Sequence, residues 1–120
     1  MDINLEFLNN EYFSTKLENY LTQLFQINKS IIGIVLFGSL ARGDAIYSEE
    51  KRSDIDLIIV FKDNELPEHH RKRSELKFKL MEFSPSRVDS LWMTESEFKN
   101  FKFISIVLIL RVIILIDLDL

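Results

Sequence analysis

Ile31 to Phe37 (IIGIVLF) is an apolar, largely β-branched run too short for a helix, and it reads as a buried strand. A second such run, Asp54 to Phe61 (DIDLIIVF), follows after a polar stretch. Strands of this kind must be covered, so the helical segments around them matter. Glu11 to Ile27 repeats apolar residues at spacings of three and four (Tyr12, Phe13, Leu17, Tyr20, Leu21, Leu24, Phe25) and predicts a helix. Leu66-Pro67-Glu68 opens another, with Pro67 suited to its first turn, and Ser84-Pro85 ends it. Arg87 to Met93 predicts a third strand. Thr94-Glu95-Ser96-Glu97 is a capping sequence for a helix running to about Leu110, and Val112 to Ile116 predicts the last strand. The expected class is α+β, a two-layer α/β arrangement of sheet and helices.

At 120 residues the chain has room for one core, and a single domain over residues 1–120 is expected. Its formal net charge of −4 argues against a general nucleic-acid binder, which needs a basic excess to displace counterions. Without cysteine, disulfides, thiol chemistry and cysteine-based zinc sites are excluded. Met1 to Glu6 shows no basic stretch leading into an apolar run, so no secretory signal is read and the cytoplasm is expected. The apolar stretch from Ile104 to Ile116 is 13 residues long and contains Arg111, short of the ~20 a membrane helix needs. It is expected to be a buried helix followed by a buried strand.

Chemistry concentrates in three places. Phe37-Gly38-Ser39 ends a strand with a residue lacking Cβ, then places a hydroxyl at the start of a short helical turn from Leu40 to Gly43. Backbone N–H groups there, with the Ser39 hydroxyl, can bind phosphate oxygens, and Arg42 can add a charge-assisted contact. Taken alone, Gly-Ser after a strand also fits a plain turn. In the second place, Asp54 and Asp56 share one face of a strand, about 6.6 Å apart along the chain, while Ile55, Leu57 and Ile59 face the core. Paired carboxylates repel, and a divalent cation removes that cost; a solvated strand end is the plainer alternative. The third is Asp89, an acid within an apolar strand. If that strand lies beside the Asp54 strand, its carboxylate can complete a metal triad. Glu95 competes for the role, but its position suits helix capping better.

Together, Gly38-Ser39-Leu40-Ala41-Arg42-Gly43 and Ser53-Asp54-Ile55-Asp56-Leu57 resemble the signature of the DNA polymerase β-like nucleotidyltransferase superfamily, in particular its minimal nucleotidyltransferase branch. Val88-Asp89 and Ile114-Leu115-Ile116-Asp117 fit the same pattern. The resemblance implies a mixed sheet with flanking helices, like the polymerase β palm. It also implies that Gly38 and Ser39 hold the β and γ phosphates of a nucleoside triphosphate, ATP foremost. Asp54 and Asp56 would bind Mg²⁺, and Asp89 would bind one of two ions and help deprotonate an acceptor hydroxyl. Stand-alone members of the branch are similar to antitoxins that modify a tyrosine of a helical HEPN toxin with AMP, so a partner of that kind is expected.

Fourteen residues separate Ser39 from Asp54, several more than the branch usually shows. The surplus, Tyr47 to Arg52 (YSEEKR), is expected to be a solvated loop. His69-His70-Arg71-Lys72-Arg73 is a basic cluster expected to face water, with docking of an acidic partner or RNA as the other reading. Adjacent histidines point apart on a helix, so a histidine metal site is rejected. Trp92 and the ten phenylalanines are expected in the core. Two other functions fit the residues: a module that neutralises its partner by binding alone, and nucleotidylation of a small molecule. The apolar segment from Ile104 to Leu120 could also offer a dimerisation patch. Neither a P-loop nor a dinucleotide fingerprint is present.

Overall fold

The structure, a computed structural model, describes residues 10–27, 30–43, 45–48, 50–80, 88–100 and 113–117, with backbone alone for Ile27, Arg42 and 113–117. Four strands form one mixed sheet in the order β3-β2-β1-β4, with β1 spanning Ile31–Phe37, β2 Ile55–Phe61, β3 Val88–Thr94 and β4 Ile113–Asp117. The pairs β1–β2 and β1–β4 are antiparallel, while β2–β3 is parallel. The two central strands are almost wholly apolar, Asp56 of β2 being their one charged residue, and both of their faces are covered. At the edge, β3 leaves Asp89 and Leu91 exposed on either side of the buried Ser90.

Alternation along the strands sends residues to two cores. Ile55, Leu57, Ile59 and Phe61 pack with Phe13, Leu17, Tyr20, Leu21 and Leu24 of helix α1 (Glu11–Ile27). Ile58 and Val60 pack instead with Ile32, Val35, Met93 and Phe98 on the opposite face. A register irregularity between Ile31 and Gly33 resets the alternation in β1, so that Ile31 and Ile34 reach the same core. Trp92 lies in the α1 core with its ring 4.9 Å from that of Phe61. The Tyr20 hydroxyl donates to Ser90 Oγ at 2.8 Å, which satisfies both groups in the interior.

Except for the short turn after Phe37, which has no side-chain cap, helix starts carry identifiable caps. Asn10 Oδ1 accepts from the N–H groups of Tyr12 (2.8 Å) and Phe13 (3.4 Å) at the head of α1. The expected capping box is present: Thr94 N–H donates to Glu97 Oε1 at 2.9 Å and Glu97 N–H to Thr94 Oγ1 at 3.3 Å, where the chain turns helical over 95–100. The rest of that expected helix, to Leu110, and the Ser84-Pro85 stop both lie outside the described residues.

Two expectations need correction here. Helix α3 spans His70–Leu80, and Pro67 lies before it rather than in its first turn. The Pro67 carbonyl is taken by the Arg73 side chain (Nε to O, 2.9 Å), and His69 caps the helix instead, its Nδ1 accepting from Arg71 N–H at 3.2 Å. Phe78 is not in the core: it stands 78% exposed on α3.

Arg73 is the buried member of the basic cluster, 8% exposed. Its Nη1 donates to Glu97 Oε1 and Oε2 at 2.8 and 3.1 Å, tying α3 to the segment after β3. Burial works against the charged Glu97 carboxyl, but the Thr94 and Arg73 donors outweigh it and hold the group below its ordinary range. Replacing Arg73 with Ala should lower stability by about 2 kcal/mol in urea unfolding, below the range for fully buried pairs because the Glu97 side chain is 43% exposed. Lys should recover only part of this, since one ammonium cannot serve both the Pro67 carbonyl and the carboxylate. A loss of less than about 0.5 kcal/mol, the scale of an ordinary surface change, would mean that this bridge does not hold the two elements together.

Candidate active site

Phe37 ends β1 in extended conformation (φ −138°, ψ −172°) and α2 follows directly over Gly38–Arg42. Gly38 has φ +76°, a left-handed value that other residues adopt only at a cost. At the far end Gly43 takes φ +84° and its N–H bonds the Leu40 carbonyl at 3.3 Å, closing the turn. Leu40 and Ala41 are buried in the α1 core, which pins this short helix where propensity could not. Ser39 is half-buried; Arg42 closes α2 and its side chain lies outside the described residues.

The antiparallel register sets Phe37 opposite Asp56. That brings the Asp56 carboxylate against Gly38: a Cβ there would stand 3.0 Å from Asp56 Cγ and collide with Oδ2. In the parallel pair, Asp56 and Asp89 are direct register partners, so both belong to the same face of neighbouring strands. Asp54 lies immediately before β2 and is exposed, Asp56 is half-buried, and Asp89 is exposed. The strand of Asp89 does lie beside β2, which carries Asp56 and which Asp54 precedes. As the side chains stand, no three His, Cys, Asp or Glu residues among those described are close enough together to hold a metal ion. Glu95, the competing acid, pairs with Lys99 at 3.0 Å.

Lys77 escapes a reading of the sequence, because nothing separates it there from the other cations of α3. Its Nζ donates to the Ser90 carbonyl, beside Asp89. Burial pushes the Lys77 ammonium down, against the Asp89 carboxylate, which raises it. A cation thus already faces the third acid. The two histidines are exposed, and His69 serves as a helix cap.

The stretch leading into Asp54 is a largely exposed loop with hydrogen bonds of its own. Tyr47 and Arg52 form an antiparallel bridge, Ser48 N–H donates to the Lys51 carbonyl at 2.8 Å, and Ser53 N–H to the Ile46 carbonyl at 2.8 Å. The Arg52 guanidinium lies 4.8 Å from the Tyr12 ring and 5.0 Å from the Tyr47 ring, and the two rings are 4.9 Å apart. Lys16 Nζ donates to the Tyr12 hydroxyl at 3.0 Å, which holds that phenol below its ordinary range. Cation–π and ring contacts therefore dock the insertion onto the first turns of α1. The expected solvated loop is present, with Tyr47, Ser48, Glu50 and Lys51 exposed, while Arg52 is half-buried against the two rings.

A family model described as the nucleotidyltransferase domain matches residues 15–114. The chain belongs to the nucleotidyltransferase domain family. A crystal structure of a candidate nucleotidyltransferase from Sulfolobus solfataricus superposes with a TM-score of 0.58 at 21% identity, covering 83% of this chain and 76% of the other. That likeness shows the fold, a mixed sheet flanked by helices. No curated protein matches the chain. Nucleotidyltransferase domains generally use a nucleoside triphosphate and a divalent metal. Among the described residues of this one, no helix is long and apolar enough to cross a membrane.

Proposed function

We propose that this nucleotidyltransferase domain moves a nucleoside monophosphate, AMP first among candidates, from its triphosphate to a hydroxyl of a partner protein. The model for the acceptor is the tyrosine of a HEPN toxin, on the resemblance to minimal nucleotidyltransferase antitoxins. One observation carries the reading: the Asp56 carboxylate packs on Gly38 at the strand–helix junction, with Asp89 in register beside it.

Although the three acids do not stand gathered around one point, two features would suit a divalent cation once they are drawn together. The donors are hard carboxylate oxygens, as Mg²⁺ prefers, and the space that a Cβ at residue 38 would fill is kept for Asp56. Asp54, Asp56 and Asp89 would hold up to two Mg²⁺ ions, which when bound would offset the negative charge of the triphosphate and of the displaced pyrophosphate. Ser39 and the N–H groups opening α2 would bind the β and γ phosphates, with Arg42 adding a charge-assisted contact. Asp89, on the edge strand, would accept the proton of the attacking hydroxyl as its oxygen bonds the α-phosphorus and the bond to pyrophosphate breaks. Most of the acceleration would then come from positioning and charge compensation.

The test uses ATP labelled in the α or the γ phosphate, with Mg²⁺ and the product of the neighbouring gene as acceptor. Label transferred from the α but not the γ position is the expected result. Transfer from the γ position would mean phosphoryl transfer, and no transfer to an intact partner by folded protein would remove the reading.

A further inference from the structure

We propose that Lys77 is a positioning residue for nucleotidyl transfer, fixing the edge strand at the point where it carries Asp89. The inference rests on the reading that Asp89 serves the attacking hydroxyl. β3 is an edge strand, with β2 on one side only. In such a strand every second residue turns its carbonyl away from the sheet, and some other donor must reach it. On β3 the Trp92 carbonyl accepts from Arg73 Nη1 at 3.5 Å, and the Ser90 carbonyl accepts from Lys77 Nζ. The spacings match. Arg73 and Lys77 are one helical turn apart, about 6 Å, while Trp92 and Ser90 are two strand residues apart, about 6.6 Å. α3 thus runs against β3 and meets its open edge with two cations.

The two cations differ in what else they touch. Arg73 also donates to the Pro67 carbonyl and to the Glu97 carboxylate, away from the acids of the site. Lys77 is half-buried, and its ammonium is directed at Ser90 and at the field of the neighbouring Asp89 carboxylate. An edge carbonyl needs no charged donor, since water or a hydroxyl satisfies it. A partly desolvated ammonium is costly, and the acid beside this carbonyl accounts for its presence.

Ser90 is held from two directions. Its Oγ accepts from the Tyr20 hydroxyl at 2.8 Å on the core side, and its carbonyl accepts from Lys77 at the sheet edge. Asp89 precedes it, and strand alternation sends the Asp89 side chain to the opposite face, beside its register partner Asp56. Only Val88 comes before Asp89 in β3, so the ties at Ser90 set the direction of the third acid.

Transfer from labelled ATP to the acceptor protein is measured at steady state, together with backbone hydrogen exchange of the free protein. Lys77→Met keeps the apolar stem and removes the ammonium. Its kcat should fall at least about tenfold while KM for ATP stays within about twofold, because the phosphates are held at Gly38 and Ser39. Exchange should quicken in β3 and stay unchanged in β1. Lys77→Arg should return kcat to within about threefold of wild type, since charge and donor are kept. A groove of about 310 Å³ beside Lys77, lined by His70, Ser74 and Leu91, has room for the larger group. Arg73→Ala, assayed where it is folded, should keep kcat within about threefold, because its loss falls on stability. Wild-type kcat in Lys77→Met, no recovery in Lys77→Arg, or an equal loss in Arg73→Ala would each overturn the proposal. Unchanged exchange in β3 would overturn it without any reference to activity. Quickened exchange with no transfer by wild type would instead sink the function proposed above and leave Lys77 as the anchor of the Asp89 strand.

Discussion

Asp56→Asn is expected to cut nucleotidyl transfer by at least about a thousandfold while leaving the fold intact. The carboxylate is half-buried against Gly38 and faces Asp89 across the parallel pair, so it is the acid held most firmly in the candidate site. Charge stabilisation of several kcal/mol is at stake at a metal-dependent phosphoryl centre, and about 4 kcal/mol corresponds to roughly that factor. Asn keeps the shape and accepts hydrogen bonds with one oxygen, so packing on Gly38 survives. Calorimetric Mg²⁺ binding in the presence of a non-hydrolysable triphosphate should weaken in parallel with activity. Transfer within about threefold of wild type would show that Asp56 does not take part, since even one lost catalytic hydrogen-bond donor costs more than that.

What could be read from residues alone follows the range of the interactions involved. The limits of α1 and β1 are set by local pattern, and both appear where the periodicities put them. The Thr94–Glu97 box is likewise local, and its two hydrogen bonds are present. α3 starts at His70 rather than at Pro67, whose carbonyl is taken by the Arg73 side chain; no propensity encodes that contact. Most of the insertion is exposed, as its charges indicate, while the contacts of Arg52 and Tyr47 with Tyr12, 40 and 35 residues away, leave no mark in the local sequence. For the candidate site, residue types and strand parity were legible. The pairing of β2 with β3 was not, and only that pairing makes Asp89 a neighbour of Asp56. Phe78 shows the limit from the other side, because a lone aromatic residue in a weakly amphipathic helix carries no mark of facing water.

Gly38→Ala should damage both stability and transfer, and comparison with Gly43→Ala separates the causes. Both glycines have positive φ, +76° and +84°, so each alanine costs about 1–2 kcal/mol in backbone strain. Around Gly43 nothing lies within 4 Å of an added Cβ, so strain is its whole cost. At Gly38 the added atom meets the Asp56 side chain, 3.0 Å from Cγ and 3.2 Å from Cβ, and either the carboxylate or the junction must shift. The Gly38 variant should therefore lose about 1–2 kcal/mol more than the Gly43 variant in urea unfolding, in the range for overpacking. Its transfer rate should fall at least about a hundredfold, since an ångström of misplacement can cost that much. The coupling is measurable directly. In an Asp56→Ala background the carboxylate oxygens are gone, so Gly38→Ala should be cheaper there by about 1 kcal/mol. An equal cost in both backgrounds would mean that the carboxylate does not press on this position, and the glycine would then be explained by backbone conformation alone.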